Sequence, residues 1–157
     1  MGEILDTAIS FFKEDGWSFT QIEDQPILRV GFQGENGQWT CFAQAREERA
    51  QLLFYSVCPV KALEDRRMAV AEFLTRANYG LFMGNFEMDM ADGEVRYKTG
   101  IDVEGDRLSP ALVKPLVYAN VLMMDYYLPG IMSVIYGNVA PAEAVAKAEG
   151  TATRAED

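Results

Sequence analysis

The chain has 157 residues, 49% of them apolar and 24% charged, with a net charge of −10 and no histidine. That length gives one domain whose core needs no staples, and that charge repels nucleic-acid phosphates and anionic headgroups. With no histidine and only Cys41 and Cys58, a zinc site lacks ligands and a Ser or Cys nucleophile lacks its usual base.

The opening "MGEILDTAISFF" puts acids where a secretory basic region belongs. Asp6 stands where a myristoylation signal carries Ser or Thr. The expectation is a cytoplasmic protein with two small buried thiols. Residues 3–14 predict an amphipathic helix, with Ile4, Leu5, Ala8, Ile9, Phe11 and Phe12 at helical spacing and Gly16 after its end. "SFTQIE" predicts a short strand, and Asp24-Gln25-Pro26 a turn. "ILRVGFQGENGQWTCFAQA" predicts a hairpin on Asn36-Gly37, placing Phe32 opposite Cys41, Val30 opposite Ala43 and Leu28 opposite Ala45 on the core face. "REER" is a charged turn and "AQLLFYSVC" the next strand, closed by Pro59.

A helix is expected over residues 61–79, with Val70, Phe73, Leu74 and Ala77 inward and its charges mostly outward. The cations from Arg46 to Arg76 alternate with acids, as on a mixed solvated surface rather than a nucleic-acid patch. "NFEMDMADGEVRYKTG", residues 85–100, resembles a calcium loop at first sight. An EF-hand would need oxygen ligands where Met88, Met90 and Thr99 stand. A hairpin turning on Asp92-Gly93 explains the stretch better. It pairs Met90 with Val95 and Met88 with Tyr97 inward, and Asp89 with Arg96 and Glu87 with Lys98 outward. No metal and no cofactor is expected.

Ser109 and Pro110 predict an N-cap and N1 for a long helix to Leu128, bent at Pro115 and broken at Pro129-Gly130 before "IMSVIYG". Between Leu116 and Leu128 only Asn120 and Asp125 are strongly polar. Prolines and polar residues interrupt it short of the roughly 18 apolar residues of a membrane span. A helix apolar on most sides is buried on more than one, here against the sheet and a second subunit. Residues 1–138 form the expected domain. Residues 139–157, Ala-rich with scattered charge, are expected to be a flexible tail in which Glu143 and Lys147 support at most one short helix. The fold class is α+β: an antiparallel sheet of two hairpin blocks with helices on one face.

Candidate site residues lie on the last helix: Tyr118, Asn120, Met123, Met124, Asp125 and Tyr127. A buried acid shifts its pKa or finds a partner, so Asp125 is a structural acid first and a catalytic one second. Asn120 is an amide satisfied by backbone or a ligand contact. The methionines and tyrosines fill core or make an adaptable groove for partner segments. No Ser-x-x-Lys, Gly-x-Ser-x-Gly or phosphate-loop pattern occurs.

"AEFLTRANYGLFMGNFEMDMADGEVRYKTGIDVEG" and "LVYANVLMMDYYLPGIMSVIYG" together resemble the YbjN family, described as bacterial sensory-transduction regulators. The landmarks are Asn78-Tyr79-Gly80, Gly84-Asn85-Phe86, Asp92-Gly93 and Leu128-Pro129-Gly130-Ile131. The resemblance spans roughly residues 3 to 138. It implies the fold of type III secretion chaperones, commonly dimers that hold extended segments of partner proteins, and it carries over no catalytic residues. Residues and resemblance together point to a non-enzymatic, chaperone-like adaptor or regulator acting as a homodimer on an unknown protein partner, off membranes and nucleic acid. A small-molecule sensor with a pocket between sheet and last helix is the alternative, and a carboxylate enzyme the third.

Overall fold

The protein is described by a computed structural model over residues 2–150. Its helices and strands follow as α1 (Glu3–Glu14), β1 (Phe19–Gln21), β2 (Ile27–Gln33), β3 (Gln38–Arg46), β4 (Gln51–Val57), α2 (Arg67–Asn78), β5 (Asn85–Met88), β6 (Val95–Asp102), α3 (Pro110–Tyr136) and α4 (Pro141–Glu149). The strands form one sheet in the order β1-β2-β3-β4-β6-β5, and every neighbouring pair is antiparallel. Strand alternation sends Leu28, Val30, Cys41, Ala43, Leu52, Phe54, Val95 and Tyr97 inward, all buried. The α1, α2 and α3 helices cover that face. Arg29, Phe42, Tyr55, Arg96 and Lys98 lie on the other, half-buried or exposed. The α+β class and one-sided helix layer are therefore as the sequence predicts.

The start of α1 is capped from a distance. Glu47, in a 3-10 turn over Glu47–Arg49, accepts from the Ile4 and Leu5 backbone N–H groups at 3.1 and 2.9 Å. A carboxylate there satisfies two orphan donors and opposes the helix dipole. The second helix begins later than residue 61: a 3-10 turn covers Glu64–Arg66, and α2 follows. The cause is Ala62, whose N–H donates to the Gly93 carbonyl at 2.8 Å and holds the chain extended. Gly93 has φ +81, and a Cβ there would strike the Ala62 carbonyl, so only glycine serves. The inward stripe of Val70, Phe73, Leu74 and Ala77 is as predicted.

Both hairpins form, but each register differs by two residues from the expected one. In the first, Leu28 pairs with Ala43, Val30 with Cys41 and Phe32 with Trp39. The Gly34 N–H donates to the Gly37 carbonyl at 2.8 Å, so the turn centres on Glu35-Asn36. Neither Asn36 nor Gly37 has the positive φ that a tight turn centred on them would require. In the second, Met88 pairs with Val95, Glu87 with Arg96 and Phe86 with Tyr97. Met90 is in the loop, half exposed rather than inward. The Asp89 and Asp92 carboxylates accept from the Ala91 and Glu94 N–H groups at 2.8 and 2.9 Å. Asp89 thus serves the turn instead of Arg96, while Glu87 binds both Arg96 and Lys98.

Pro129 does not break the last helix, which runs unbroken from Pro110 to Tyr136 with Pro115 and Pro129 inside it. A proline leaves the carbonyl four residues earlier without its N–H partner, here that of Asp125. The Asn36 side-chain amide donates to that carbonyl at 2.9 Å. The predicted cap is present: Ser109 Oγ accepts from the Leu112 N–H. Within the tail expected from residue 139, the one short helix that Glu143 and Lys147 could support forms over Pro141–Glu149, and it is packed rather than loose. It buries Ala144 and Val145 and lies against α2 and α3. Residues 151–157 of the expected tail lie outside the described residues. No helix among the described residues is long and apolar enough to cross a membrane.

Candidate interaction surface

The α3 helix has two apolar sides, and the six predicted site residues divide between them. Asn120, Met124 and Tyr127 point into the core. The Asn120 amide donates to the carbonyls of Phe54 and Tyr97 and to Thr99 Oγ1 at 2.9 to 3.1 Å, bridging β4 and β6. Thr99 in turn donates to the Leu116 carbonyl at 2.8 Å. Tyr127 packs edge-on against Phe73 and Phe86 and donates to Glu149 at 2.6 Å, tying α3 to α4. Burial and that carboxylate push its hydroxyl pKa up. Tyr118 is half-buried beside Trp17 and donates to Asp15. That hydrogen bond, with one from Trp17, holds Asp15 below the usual carboxylate range.

Asp125 is 8% exposed and faces the β2–β3 turn. Its carboxylate accepts from the Glu35 and Asn36 backbone N–H groups at 3.0 and 2.8 Å. A Cβ on Gly34 would collide with it. Both oxygens therefore hold a turn in place. Met123 is half-buried in an open depression of about 580 Å³ between that turn and Leu122, Asp125 and Tyr126. The structure brings Met123 and Asp125 together there. It does not gather the six residues around one cavity between sheet and helix, because Asn120, Met124 and Tyr127 fill that space.

The other side of α3 faces outward. Leu112, Leu122, Tyr126, Met132 and Tyr136 are 37–62% exposed, and Lys114 is the one exposed charge on the helix. A solvated helix face normally carries charges throughout. Beside it is the loop from Tyr79 to Gly84, uncharged and apolar, with Tyr79 91% and Phe82 101% exposed. Its ends are fixed. The Asn78 side chain accepts from the Phe86 N–H at 2.7 Å and donates to the Phe86 carbonyl at 3.1 Å. Tyr97 donates to the Met83 carbonyl. The Asn78 pair also blunts the free edge of β5, where unpaired backbone invites aggregation. Tyr79, Leu81, Tyr126 and Tyr127 share a depression of about 280 Å³, so loop and helix form one surface. Sequence reasoning missed Tyr79, Phe82 and Leu122. The available signal was "NYGLFMGN", an apolar run between glycines with no charge to solvate it.

The family model YbjN, described as "Putative bacterial sensory transduction regulator", matches residues 6–131. No curated protein matches the chain. Among solved structures the fold is similar to YbjN from E. coli, described as "a putative transcription regulator". The identity there is 14%, over 83% of this chain and 87% of that one, with a TM-score of 0.60. It is similar to a chain of the ExsC–ExsE complex at 12% identity, covering 82% of this chain and 96% of that one, TM-score 0.52. A further likeness is to the Yersinia pestis type III secretion chaperone SycH in complex with a fragment of YscM2. There the identity is 11%, over 75% of this chain and 93% of that one, with a TM-score of 0.48. With residues 6–131 matched to its model, the chain belongs to the YbjN family.

Proposed function

We propose that this protein is a non-enzymatic interaction module, a chaperone-like adaptor or regulator that works as a homodimer in the cytoplasm. The observation that carries this is exposed apolar surface: Tyr79 and Tyr126 line one depression between loop and helix, with Leu122 exposed on the same helix and Phe82 fully exposed in the same loop. Contiguous exposed apolar surface marks a binding site for another macromolecule. A relative of this fold is found in a two-protein complex, ExsC–ExsE, which supports the same reading. The polar groups favour it over a ligand pocket. Asn120 donates to backbone carbonyls and Thr99, and Asp125 accepts from backbone N–H groups. Asp125 is also the only buried acid among the described residues, and its work is structural, which speaks against a carboxylate enzyme.

The test is affinity capture from native lysate with the full chain as bait, run beside Tyr79→Asp and Phe82→Asp. A protein retained by the native chain and lost with either variant supports the adaptor. Equal retention by all three overturns it. A strict monomer at tens of micromolar by light scattering would remove the homodimer.

A further inference from the structure

We propose that α4 is a removable helix, seated in a groove between α2 and α3 that takes a helix of the same chemistry from a partner protein. The proposal rests on the interaction-module reading and adds a second surface to it, built from Phe73, Tyr127 and Gly130. Glycine weakens a helix interior, but a Cβ on Gly130 would strike the Phe73 ring. Its missing side chain lets α2 and α3 come close. Ala148 of α4 lies against the same spot, 3.5 Å from where that Cβ would be. Tyr127 packs edge-on against Phe73 and donates to Glu149 at 2.6 Å. The seat is therefore an aromatic pair, a glycine and one phenolic donor.

The occupant is specified by what sits there now. In α4, Ala144 and Val145 are buried, Ala148 and Glu149 half-buried, and Ala142, Glu143 and Lys147 exposed. Positions i, i+1, i+4 and i+5 share one side of a helix. A partner helix that fits carries small apolar residues at the first three and a carboxylate for Tyr127 at the fourth. Three features make α4 separable from the rest of the fold. It has nine residues, fewer than the roughly 12–15 at which an isolated helix is marginal, so the groove keeps it helical. It buries two side chains, neither larger than valine. It also follows residue 131, where the match to the family model ends. Its departure uncovers Phe73, Tyr127 and Gly130, an apolar floor that calls for another cover. It also takes Glu149 out of the depression shared with Tyr79, Leu81 and Tyr126, so a partner that displaces α4 enlarges the apolar surface there.

The test uses the full chain, native and Val145→Asp, which puts a carboxylate into the groove. In the native chain the backbone amides of residues 145–149 should exchange hydrogen at least about a hundredfold faster than those of Phe54 and Tyr97 in the sheet. In Val145→Asp the α4 amides should lose their remaining protection while the sheet keeps its own. The probe is a synthetic peptide of residues 139–150, added to about a millimolar, the effective concentration of a tethered segment, to each isotope-labelled chain. It should shift the Phe73 and Tyr127 resonances of Val145→Asp and leave those of the native chain unmoved. The same peptide carrying Val145→Asp should shift neither. Native α4 amides as slow as that of Phe54 overturn the proposal, as does loss of sheet protection in Val145→Asp, since either makes α4 part of the core. A peptide without effect on Val145→Asp, or two peptides of equal effect, overturns it too. None of these results touches the adaptor reading, which the Phe82→Asp capture decides separately.

Discussion

Gly34 and Asp125 lie 91 positions apart in the sequence, yet their substitutions should not add. Asp125→Ala removes two charge-assisted hydrogen bonds, to the Glu35 and Asn36 N–H groups. Such bonds contribute about 1.5–3 kcal/mol each. Water can reach part of the turn, so a loss of about 2–4 kcal/mol is expected. Gly34→Ala adds a methyl that collides with the same carboxylate, and overpacking of this kind costs about 1–3 kcal/mol. Gly34 does not have positive φ, so alanine is strained by the contact and not by its backbone. Once Asp125 is alanine, the methyl has room. The double variant should therefore be more stable than the sum of the singles predicts, by about 1 kcal/mol or more. Urea unfolding followed by circular dichroism gives all four corners of the cycle, at one protein concentration because self-association would shift the midpoint. Additivity within about 0.5 kcal/mol, or an Asp125→Ala cost below that, would refute the clamp.

Asn78→Ala should cost about 1–2 kcal/mol and speed hydrogen exchange at the Phe86 N–H, since one side chain satisfies both backbone groups of that residue. Burial pushes the Cys41 and Cys58 thiols up to about 12 and about 11. Ellman's reagent at pH 8 should therefore label the native chain at least about tenfold more slowly than the chain in urea. Burial also pushes the Tyr97 hydroxyl up from its ordinary 10 to about 12. The unfolded chain then releases that proton first, so stability should fall as pH rises from 10 toward 12. Urea midpoints across that interval, with tyrosinate absorbance alongside, check the sign.

Alternation fixed which strand residues face inward, and it did so in both hairpins. It could not fix the register, because a slip of two residues leaves every inward side chain inward. What decides between the two registers is chemistry that alternation does not encode. In the first hairpin it is a carboxylate from α3. In the second it is a pair of aspartates spent on loop N–H groups. Pro129 misled for the same reason, since the amide that compensates it comes from Asn36, remote in sequence. The α4 helix was legible only as a short helix that Glu143 and Lys147 could support; its packing was not, because its partner is a surface that exists only after folding. Gly130 lies against Phe73 and Ala148, where α2, α3 and α4 meet. The candidate site was half legible. The excess of apolar residues on the last helix was plain, but its division into inward Asn120, Met124 and Tyr127 and outward Leu122 and Tyr126 depends on which arc the sheet covers.

That division gives α3 two separable tasks. Changes on its inner side should be read in stability. Asn120→Ala leaves the Phe54 and Tyr97 carbonyls without that donor, at about 1–3 kcal/mol for an unsatisfied buried group, and Met124→Ala opens a cavity at about 2–5 kcal/mol. Changes on its outer side should be read in assembly. If Leu122 and Tyr126 were simply solvated, Leu122→Asp would stay within about 0.5 kcal/mol of native stability and leave the mass of the particle unchanged. If they meet a second copy, the same substitution places a carboxylate in an apolar contact, and the cost appears in self-association. Stability and mass measured together on Asn120→Ala and Leu122→Asp therefore separate a helix that only completes a core from one that also joins two chains.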